Sequence, residues 1–355
     1  MSPQLGIIEG FFGRPWSWTD RADAVRFLRP HGFSFYLYAP KADPWLRRRW
    51  QEPHPPAELD KLVEFREVCR AQNVRFGIGL TPFELHLHAG RGWQEALTAR
   101  LASLAVLKPD DLAILFDDMR GDVPELAERQ AAIVHFSAER GVAQRILSCP
   151  SYYSDDPILD VAFGARPDFY LEQLGRLLDP AIELFWTGPE VAAREFTPGH
   201  LARVAGQLGR KPFLWDNYPV NDGPRMSRHL HLRPFTGRPA AMGAEIAAHG
   251  INTASQAVLS RIPALTLVES YRDGPRYEYL AAFRRAADAV LGPELADAVE
   301  RTLLLLEDAG LDGITAEQHD RLRARFAAFD HAAAREVMAW LDGHFAIGAE
   351  ELQTQ

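Results

Sequence analysis

Residues 74–116 read VRFGIGLTPFELHLHAGRGWQEALTARLASLAVLKPDDLAILF, and they contain one complete unit of the predicted fold. The apolar runs at 74–80 and 111–116 have the length and composition of buried strands. Between them, residues 93–107 place apolar side chains at helical spacing. Because strand, helix, strand is the repeating unit of parallel sheets, the stretch predicts such a sheet with helices packed against it.

The same unit recurs along the first 270 residues. Strands are predicted at 5–9, 33–38, 74–80, 111–116, 144–148, 182–186, 212–216 and 250–253. Helices are predicted at 19–29, 58–72, 93–107, 123–140, 167–178, 197–208, 240–249 and 257–270. Eight repeats predict an α/β fold whose sheet closes into a (β/α)8 barrel of the TIM type. An open doubly wound sheet also alternates, but it often carries a glycine-rich phosphate loop, whose spacing residues 10–15 lack.

From residue 271 onward the pattern changes to helices alone. Helical spacing covers 274–291, 293–309 and 316–342, with no strand between them. We therefore predict two domains, a barrel over 1–270 and a small helical domain over 271–355. The helical part either caps the barrel or contributes a homodimer contact, and the pattern does not choose between these roles.

The composition limits the classes of partner and the compartment. The 355 residues carry a net charge of −9 and no basic cluster, which argues against a nucleic-acid partner. No stretch approaches the roughly 20 apolar residues of a membrane span, so no membrane partner is expected. With two cysteines and no signal-peptide pattern at the amino terminus, we expect a cytoplasmic protein without a disulfide framework.

The residues that follow the predicted strands are unusually polar and aromatic. In barrel enzymes the active site lies at the carboxyl ends of the strands, where these residues are placed. They are EGFFGRPW at 9–16, YAPKAD at 38–43, DD at 117–118, CPSYY at 149–153, WTGP at 186–189, WDN at 215–217, ND at 221–222 and Asn252. Aromatic rings with carboxylates, amides and one lysine are typical of a sugar-binding site. Asp216 is an exception, since its place beside a tryptophan favours a buried structural role.

The adjacent carboxylates Asp117 and Asp118 are the strongest candidates for chemistry. Neighbours on a strand point to opposite faces, so both can enter one pocket only where the strand gives way to a loop. Two carboxylates held close cannot both ionise freely, and we expect the pKa of one to be raised so that it serves as a general acid. The alternative is that one of them caps the helix that follows.

Two histidine pairs raise the question of a metal site. His86 and His88 lie two residues apart, as do His229 and His231, but neither pair has an obvious third ligand nearby. We therefore predict no metal and no other cofactor. No histidine can be assigned to Cys149 as a base, so this residue is predicted to be packed rather than nucleophilic.

Taken together, the strand ends resemble glycoside hydrolase family 84, the family of O-GlcNAcases and bacterial β-N-acetylglucosaminidases. The resemblance covers roughly residues 5–270. Its most specific segments are, in order, 9–16, 36–41, 115–118, 186–189, 214–217 and 221–222. The resemblance implies a retaining hydrolase that needs no cofactor and removes β-linked N-acetylglucosamine from a glycan or glycoprotein.

The resemblance also implies roles for individual residues. The substrate's own acetamido oxygen would attack the anomeric carbon and form an oxazoline, the substrate-assisted variant of glycoside hydrolysis. Asp117 would orient the acetamido group, and Asp118 would act first as acid and then as base. The residues implied in substrate binding are Gly10 through its backbone, Lys41, Tyr153, Trp215, Asn217, Asp222 and Asn252.

Three departures from the family pattern bear on substrate preference, and one of them is Ser151-Tyr152, where Thr-Glu is frequent in the animal members. Phe12 stands where the family commonly has tyrosine, and Ala42 stands where an acidic residue usually follows the lysine. Four other functions stay open. They are a sugar-binding barrel without turnover, a β-hexosaminidase of different N-acetylated glycan specificity, a metal-assisted hydrolase or deacetylase, and a glycosidase of another specificity that uses an enzyme nucleophile.

Overall fold

Eight parallel strands form a closed barrel in a computed structural model that describes residues 3–87, 92–348, 350 and 354–355. The strands are β1 (Gln4–Glu9), β2 (Phe33–Tyr38), β3 (Arg75–Leu80), β4 (Asp111–Leu115), β5 (Arg145–Cys149), β6 (Glu183–Trp186), β7 (Phe213–Asp216) and β8 (Ala248–Asn252). They pair in chain order, and β8 returns to β1 with Ile251 opposite Ile7. The predicted barrel is confirmed, and each predicted strand lies within two residues of the observed one.

Helices surround the barrel and continue beyond it. Among the described residues the α-helices are α1 (Trp18–Leu28), α2 (Pro56–Ala71), α3 (Trp93–Ala105), α4 (Leu126–Ala138), α5 (Ile158–Phe163), α6 (Tyr170–Leu177), α7 (Pro198–Leu208), α8 (Arg261–Asp273), α9 (Tyr279–Leu291), α10 (Pro293–Leu303), α11 (Gly310–Gly313), α12 (Ala316–Ala327) and α13 (Ala332–Leu341). Short 3₁₀ turns cover Arg29–His31, Pro44–Leu46, Leu85–Leu87, Met226–Arg228, Ala240–Ala244 and Gly274–Arg276, and a π-helical segment covers Leu304–Ala309. In the part of the chain that is described, we find no helix long and apolar enough to cross a membrane.

The helix predicted at 240–249 is wrong. Ala240–Ala244 is only a 3₁₀ turn, and the strand β8 already begins at Ala248. There the backbone pairs with Gln4 on one side and Phe213 on the other, so its polar groups are used between strands instead of within a helix. The connection from β7 to β8 is therefore an irregular loop, residues 217–247.

Aromatic side chains fill the interior of the barrel. Phe35 on β2 packs edge-on against Phe213 on β7, with ring centres 5.1 Å apart. These strands are not neighbours in the sheet, so the contact crosses the barrel interior. Phe213 also meets Phe185 at 4.9 Å, and Phe185 meets Trp215 at 5.3 Å. The interior is a packed core, which leaves the carboxyl ends of the strands as the place for a site.

A buried ion-pair network fixes the end of β7. Asp216 accepts two hydrogen bonds from Arg238, at 2.9 and 2.7 Å, and one from His249 at 3.0 Å. The other ring nitrogen of His249 contacts the hydroxyl of Tyr271 at 2.9 Å. Burial alone would raise the pKa of Asp216, but Arg238 and His249 outweigh burial and lower it. The predicted structural role of Asp216 is confirmed, because the network ties the loop at 217–247 to the barrel.

Replacing Asp216 by alanine is expected to lower the free energy of unfolding by about 3–5 kcal/mol, because it leaves Arg238 buried and without its partner. Urea unfolding followed by circular dichroism measures the change. Asp297→Ala is the matched control, since this aspartate pairs with Arg301 on the surface and should cost at most about 1 kcal/mol. Similar losses in the two variants would contradict the structural role.

The carboxyl-terminal helices contact the barrel through several hydrogen bonds and ion pairs, including the pair between Arg285 on α9 and Glu269 on α8. Glu336 on α13 accepts hydrogen bonds from the N–H groups of Val258 and Leu259, both at 2.9 Å, and burial raises its pKa to about 7. The N–H of Leu230, in the loop at 217–247, donates to the carbonyl of Leu306 at 3.0 Å. That residues 271–355 form a domain of their own, and that they mediate a homodimer, stay predictions.

Candidate active site

A cavity of about 980 Å³ lies where the strands end. The structure places all nine sequence-predicted site residues around it: Gly10, Lys41, Asp117, Asp118, Tyr153, Trp215, Asn217, Asp222 and Asn252. They come from six different strand ends and from the loop at 217–247, so only the closed barrel brings them together. Their individual roles stay predictions at this point.

The backbone after β4 explains how two adjacent carboxylates reach one cavity. The strand ends at Leu115, and Asp118 adopts a left-handed conformation with φ of +56°. Aspartate and asparagine tolerate this conformation better than most other residues. The turn redirects the side chain of Asp118 to the same side as that of Asp117. The alternative that one of the pair caps the next helix is wrong, because α4 begins only at Leu126.

Lys41 lies between the two carboxylates. Its ammonium group donates a hydrogen bond to Asp117 and lies 3.0 Å from Asp118. The lysine is 5% exposed, and burial alone would lower its pKa, but the two carboxylates outweigh burial and raise it. Lys41 is held in turn by its backbone N–H, which donates to the carbonyl of Phe11 at 3.2 Å. The lysine therefore stays charged inside the cavity.

One oxygen of Asp117 has no hydrogen-bond partner among the described residues. Its Oδ1 atom is buried and accepts no hydrogen bond from any residue that the structure describes, while Oδ2 is occupied by Lys41. A buried acceptor without a donor costs free energy, typically about 1–3 kcal/mol. A ligand that brings an N–H or O–H group to this atom removes that cost. Asp117 is therefore prepared for a hydrogen-bond donor from the cavity.

The electrostatics of Asp118 differ from the prediction. Burial alone would raise its pKa, but the positive charges of Lys41 and Arg47 outweigh burial and lower it. The expectation of a raised pKa within the pair is therefore wrong for Asp118. A raised pKa belongs to Asp222 instead, where burial and the nearby Asp118 carboxylate bring it to about 6.

Tyr152 and Tyr153 are adjacent, and the alternation of side chains along a strand does not predict which of them faces the cavity. The structure places them differently. The hydroxyl of Tyr153 donates to Asp118 at 3.1 Å, whereas the hydroxyl of Tyr152 donates to the carbonyl of Gly164 at 2.7 Å, away from the carboxylates. Burial raises the pKa of Tyr153 well above its usual value, so its proton stays available to Asp118. Burial also raises the pKa of Cys149, which keeps that thiol protonated.

A chain of hydrogen-bonded amide groups connects the strand ends that border the cavity. The N–H of Gly10 donates to Asn252 at 3.2 Å, Asn252 donates to Asn217 at 2.9 Å, and Asn217 donates to the carbonyl of Val191 at 2.8 Å. A side chain at position 10 would come within 2.1 Å of the ring of Trp215, so glycine is required there. Asp222 is tied to the same region by the N–H of Phe12 at 2.9 Å.

Comparison with known sequences places this arrangement in a family. Residues 5–303 match the family model described as NAGidase, beta-N-acetylglucosaminidase. The chain belongs to glycoside hydrolase family 84. The match covers both carboxylates and all the other predicted site residues.

Relatives and solved structures agree with this assignment. The proteins named Protein O-GlcNAcase from Rattus norvegicus and Mus musculus are each 28% identical to this chain over 242 residues. The alignments cover 66% of this chain and 26% of each relative, so the chain spans about a quarter of their length. A mutant O-GlcNAc hydrolase from Thermobaculum terrenum is 25% identical, with a TM-score of 0.80, over 99% of this chain and 86% of that one. The structure of CpGH84B, 22% identical with a TM-score of 0.74 over 97% of this chain and 66% of that one, shares the fold.

This family 84 member has residues in the cavity, and one behind it, that the sequence pattern does not reveal. Arg47 is 3% exposed, its guanidinium lies 5.8 Å from the ring centre of Phe12, and it lowers the pKa of Asp118. Tyr279 and Glu307 line the cavity itself, although both come from the carboxyl-terminal helices. Arg47 stands in a run of three arginines, and nothing in the sequence distinguishes it from its two neighbours. Tyr279 and Glu307 lie outside the predicted barrel, so no local signal could have selected them.

The histidine pairs have other partners. A ring nitrogen of His86 contacts the carbonyl of Arg120 at 2.6 Å, and His88 lies outside the described residues. His229 and His231 each contact backbone carbonyls at 2.8 Å. Over residues 3–87 and 92–348, no group of three or more metal-ligating side chains has the geometry of a metal site.

Replacing Lys41 by methionine is expected to raise the pKa of Asp118 above its wild-type value. The reason is that the ammonium group at 3.0 Å stabilises the carboxylate, and methionine fills similar space without a charge. A carbon-13 NMR titration of aspartate carboxyl groups, assigned with Asp118→Asn, measures the midpoint. Lys61→Met is the control, because Lys61 pairs with Glu58 on the surface of α2. An unchanged or lower midpoint in Lys41→Met would contradict the assigned electrostatics.

Proposed function

We propose that this chain is a retaining β-N-acetylglucosaminidase of the O-GlcNAcase type that works by substrate-assisted catalysis. The observation that carries the proposal is the buried Oδ1 of Asp117, an acceptor to which no described residue donates, directly beside the second carboxylate. The N–H of a 2-acetamido group is a donor of the kind this atom lacks. Family membership supports the same chemistry, and hydrolysis through the acetamido group needs only these two carboxylates from the protein.

In the first step the acetamido oxygen attacks the anomeric carbon. Asp117 accepts a hydrogen bond from the acetamido N–H and stabilises the positive charge that develops on the group. The bond from the anomeric carbon to the leaving oxygen breaks, and Asp118 transfers its proton to that oxygen. The products of this step are the free leaving group, an oxazoline that keeps its N–H proton as a cation hydrogen-bonded to Asp117, and an ionised Asp118.

In the second step water opens the oxazoline. Asp118 removes a proton from the water, whose oxygen bonds to the anomeric carbon while the acetamido oxygen departs with its electron pair. Each step inverts the anomeric centre, so the β configuration is retained. Asp118 regains the proton that it gave up, and the site is ready for another turnover.

The lowered pKa of Asp118 is compatible with its role as an acid. Its side chain is 27% exposed, and a bound sugar would exclude the water that now reaches it. Loss of this water disfavours the carboxylate and raises the pKa towards the value that an acid needs. Tyr153 remains at 3.1 Å and stabilises the carboxylate once the proton has left.

The experiment that tests the proposal is hydrolysis of nitrophenyl β-N-acetylglucosaminide in the presence and absence of EDTA. We expect turnover of this substrate that EDTA does not change. Activity on nitrophenyl β-glucoside should be lower by a factor of about 10⁴ or more, because the glucoside lacks the internal nucleophile and the donor for Asp117. No turnover of either substrate would favour a sugar-binding protein. Loss of activity with EDTA would favour a metal-dependent hydrolase, and efficient glucoside cleavage would favour an enzyme nucleophile.

A further inference from the structure

The cavity is larger than one monosaccharide needs. Its 980 Å³ lie near the upper end of the range of about 300–1,000 Å³ for small-molecule pockets. Beyond the nine predicted residues, the cavity is lined by a group that we call the carboxyl-terminal wall: Tyr218, His231, Arg233, Tyr279, Glu307 and Asp308. These residues come from the loop at 217–247, from α9 and from the π-helical segment. The mechanism above uses none of them.

We propose that the carboxyl-terminal wall is a subsite for a second sugar, and that the substrate is an oligosaccharide with β-linked N-acetylglucosamine at its non-reducing end. This inference rests on the proposed function, which places the terminal N-acetylglucosamine beside Asp117 and Asp118. The second sugar is then the leaving group, and Glu307 and Tyr279 bind it.

Glu307 is the polar centre of the wall. One of its carboxyl oxygens, Oε2, accepts hydrogen bonds from the N–H groups of Leu232 and Arg233, both at 3.0 Å. Burial raises the pKa of Glu307 to about 7, so near neutral pH the carboxyl group is present in both protonation states. A carboxyl group of this kind donates as well as accepts hydrogen bonds, which suits the hydroxyl groups of a sugar.

The backbone around Glu307 is unusual and firmly held. Leu304–Ala309 is a π-helical segment, a rare conformation that is frequent at functional sites. The carbonyl of Glu307 contacts a ring nitrogen of His229 at 2.8 Å, and the neighbouring Asp308 accepts two hydrogen bonds from Arg233, at 2.6 and 2.5 Å. A wall fixed before binding loses little conformational entropy when a ligand arrives.

Aromatic rings complete the wall. Tyr279 is 57% exposed although it borders the cavity, and its ring is available to a ligand. Tyr218 is stacked on His231, with ring centres 5.9 Å apart and planes inclined by 15°. The face of the Tyr279 ring can pack against the apolar face of a sugar ring while its hydroxyl reaches polar groups of the sugar; the hydroxyl of Tyr218 is already donated to the carbonyl of Arg233 at 2.8 Å.

The wall fits a sugar better than an extended peptide. A peptide strand binds mainly through main-chain hydrogen bonds, which need free backbone donors and acceptors on the protein. Here the N–H groups of Leu232 and Arg233 are taken by Glu307, and that of Leu230 is taken by Leu306. The carboxyl-terminal wall offers polar side chains and aromatic rings, which are the groups that bind the hydroxyls and the apolar face of a sugar.

The test compares kcat/KM for three substrates: nitrophenyl β-N-acetylglucosaminide, the β-1,4-linked disaccharide of N-acetylglucosamine, and a peptide carrying β-N-acetylglucosamine on serine. In the wild-type protein we expect the disaccharide to be cleaved more efficiently than the glycopeptide. In Glu307→Gln and Tyr279→Ala the ratio of disaccharide to nitrophenyl kcat/KM should fall about tenfold to a hundredfold, because contacts to the second sugar are lost. Glu300→Gln is the control, since this glutamate pairs with Arg284 on the surface and should leave the ratio unchanged.

The outcomes separate this inference from the proposed function. If wild-type protein cleaves the nitrophenyl substrate but prefers the glycopeptide to the disaccharide, the sugar subsite is overturned and the glycosidase stands. Equal changes on the disaccharide and nitrophenyl substrates in Glu307→Gln would also overturn it. If no substrate is cleaved, the proposed function itself fails. A disaccharide-selective loss in both variants, absent in Glu300→Gln, supports the subsite.

Discussion

Asp118→Asn is expected to lower kcat/KM on alkyl β-N-acetylglucosaminides by about 10²–10⁴-fold, the usual contribution of a general acid. An alkoxide is a poor leaving group and departs only when it is protonated. On a dinitrophenyl β-N-acetylglucosaminide the loss in the first step should be far smaller, because that leaving group departs as an anion. The measurement is therefore a plot of log kcat/KM against the pKa of the leaving group, which should be steep for the variant and shallow for the wild type.

Asp118→Asn should leave the backbone of the site unchanged. Asp118 has a φ of +56°, and asparagine tolerates this left-handed conformation, so the backbone turn after β4 should persist. Asp122→Asn is the matched control, since Asp122 lies on the same loop but pairs with the exposed Arg120. Thermal unfolding of both variants checks that folding is intact. Equal losses on alkyl and dinitrophenyl substrates would remove the assignment of Asp118 as the acid.

The periodicity of the sequence was sufficient to predict the barrel. Apolar runs such as 74–80 and 111–116 are buried on both faces in a parallel barrel, so their signal is strong and local. The helix at 240–249 failed because its spacing resembles a helix while the strand pairing of Ala248 decides the outcome. That pairing partner, Gln4, lies at the other end of the chain, where no local window reaches.

The candidate site likewise has some features that the sequence predicts and others that depend on contacts formed only in the folded protein. The placement of Asp117 and Asp118 in one cavity follows from their position just after a strand, which the sequence reveals. The direction of the Asp118 pKa does not follow, because it depends on Lys41 from another strand end and on Arg47 from the loop beyond it. Glu307 was equally hidden, since the sequence assigns it to a helix far from the barrel strands. Charges and contacts that meet only after folding set these properties.

Asp117→Asn is expected to lower kcat/KM by about 10²–10³-fold on alkyl and dinitrophenyl substrates alike, the loss typical of removing one group that stabilises charge in a transition state. The ammonium group of Lys41 would select the oxygen of the new amide, because it cannot accept a hydrogen bond. The amide nitrogen would then stand at the position of Oδ1 and present a donor where the acetamido N–H needs an acceptor. The loss of kcat/KM should be equal for the two leaving groups, because the substitution impairs the acetamido nucleophile and not the protonation of the leaving oxygen.

Substrate selectivity is the sharpest measurement of this role. The ratio of kcat/KM for nitrophenyl β-N-acetylglucosaminide to that for nitrophenyl β-glucoside should fall in Asp117→Asn, since the variant loses only what the acetamido group contributes. In Asp118→Asn the same ratio should change much less, which makes that variant an internal control. The plot against leaving-group pKa should keep the wild-type slope in Asp117→Asn. A steep slope together with an unchanged ratio would mean that Asp117, and not Asp118, protonates the leaving oxygen.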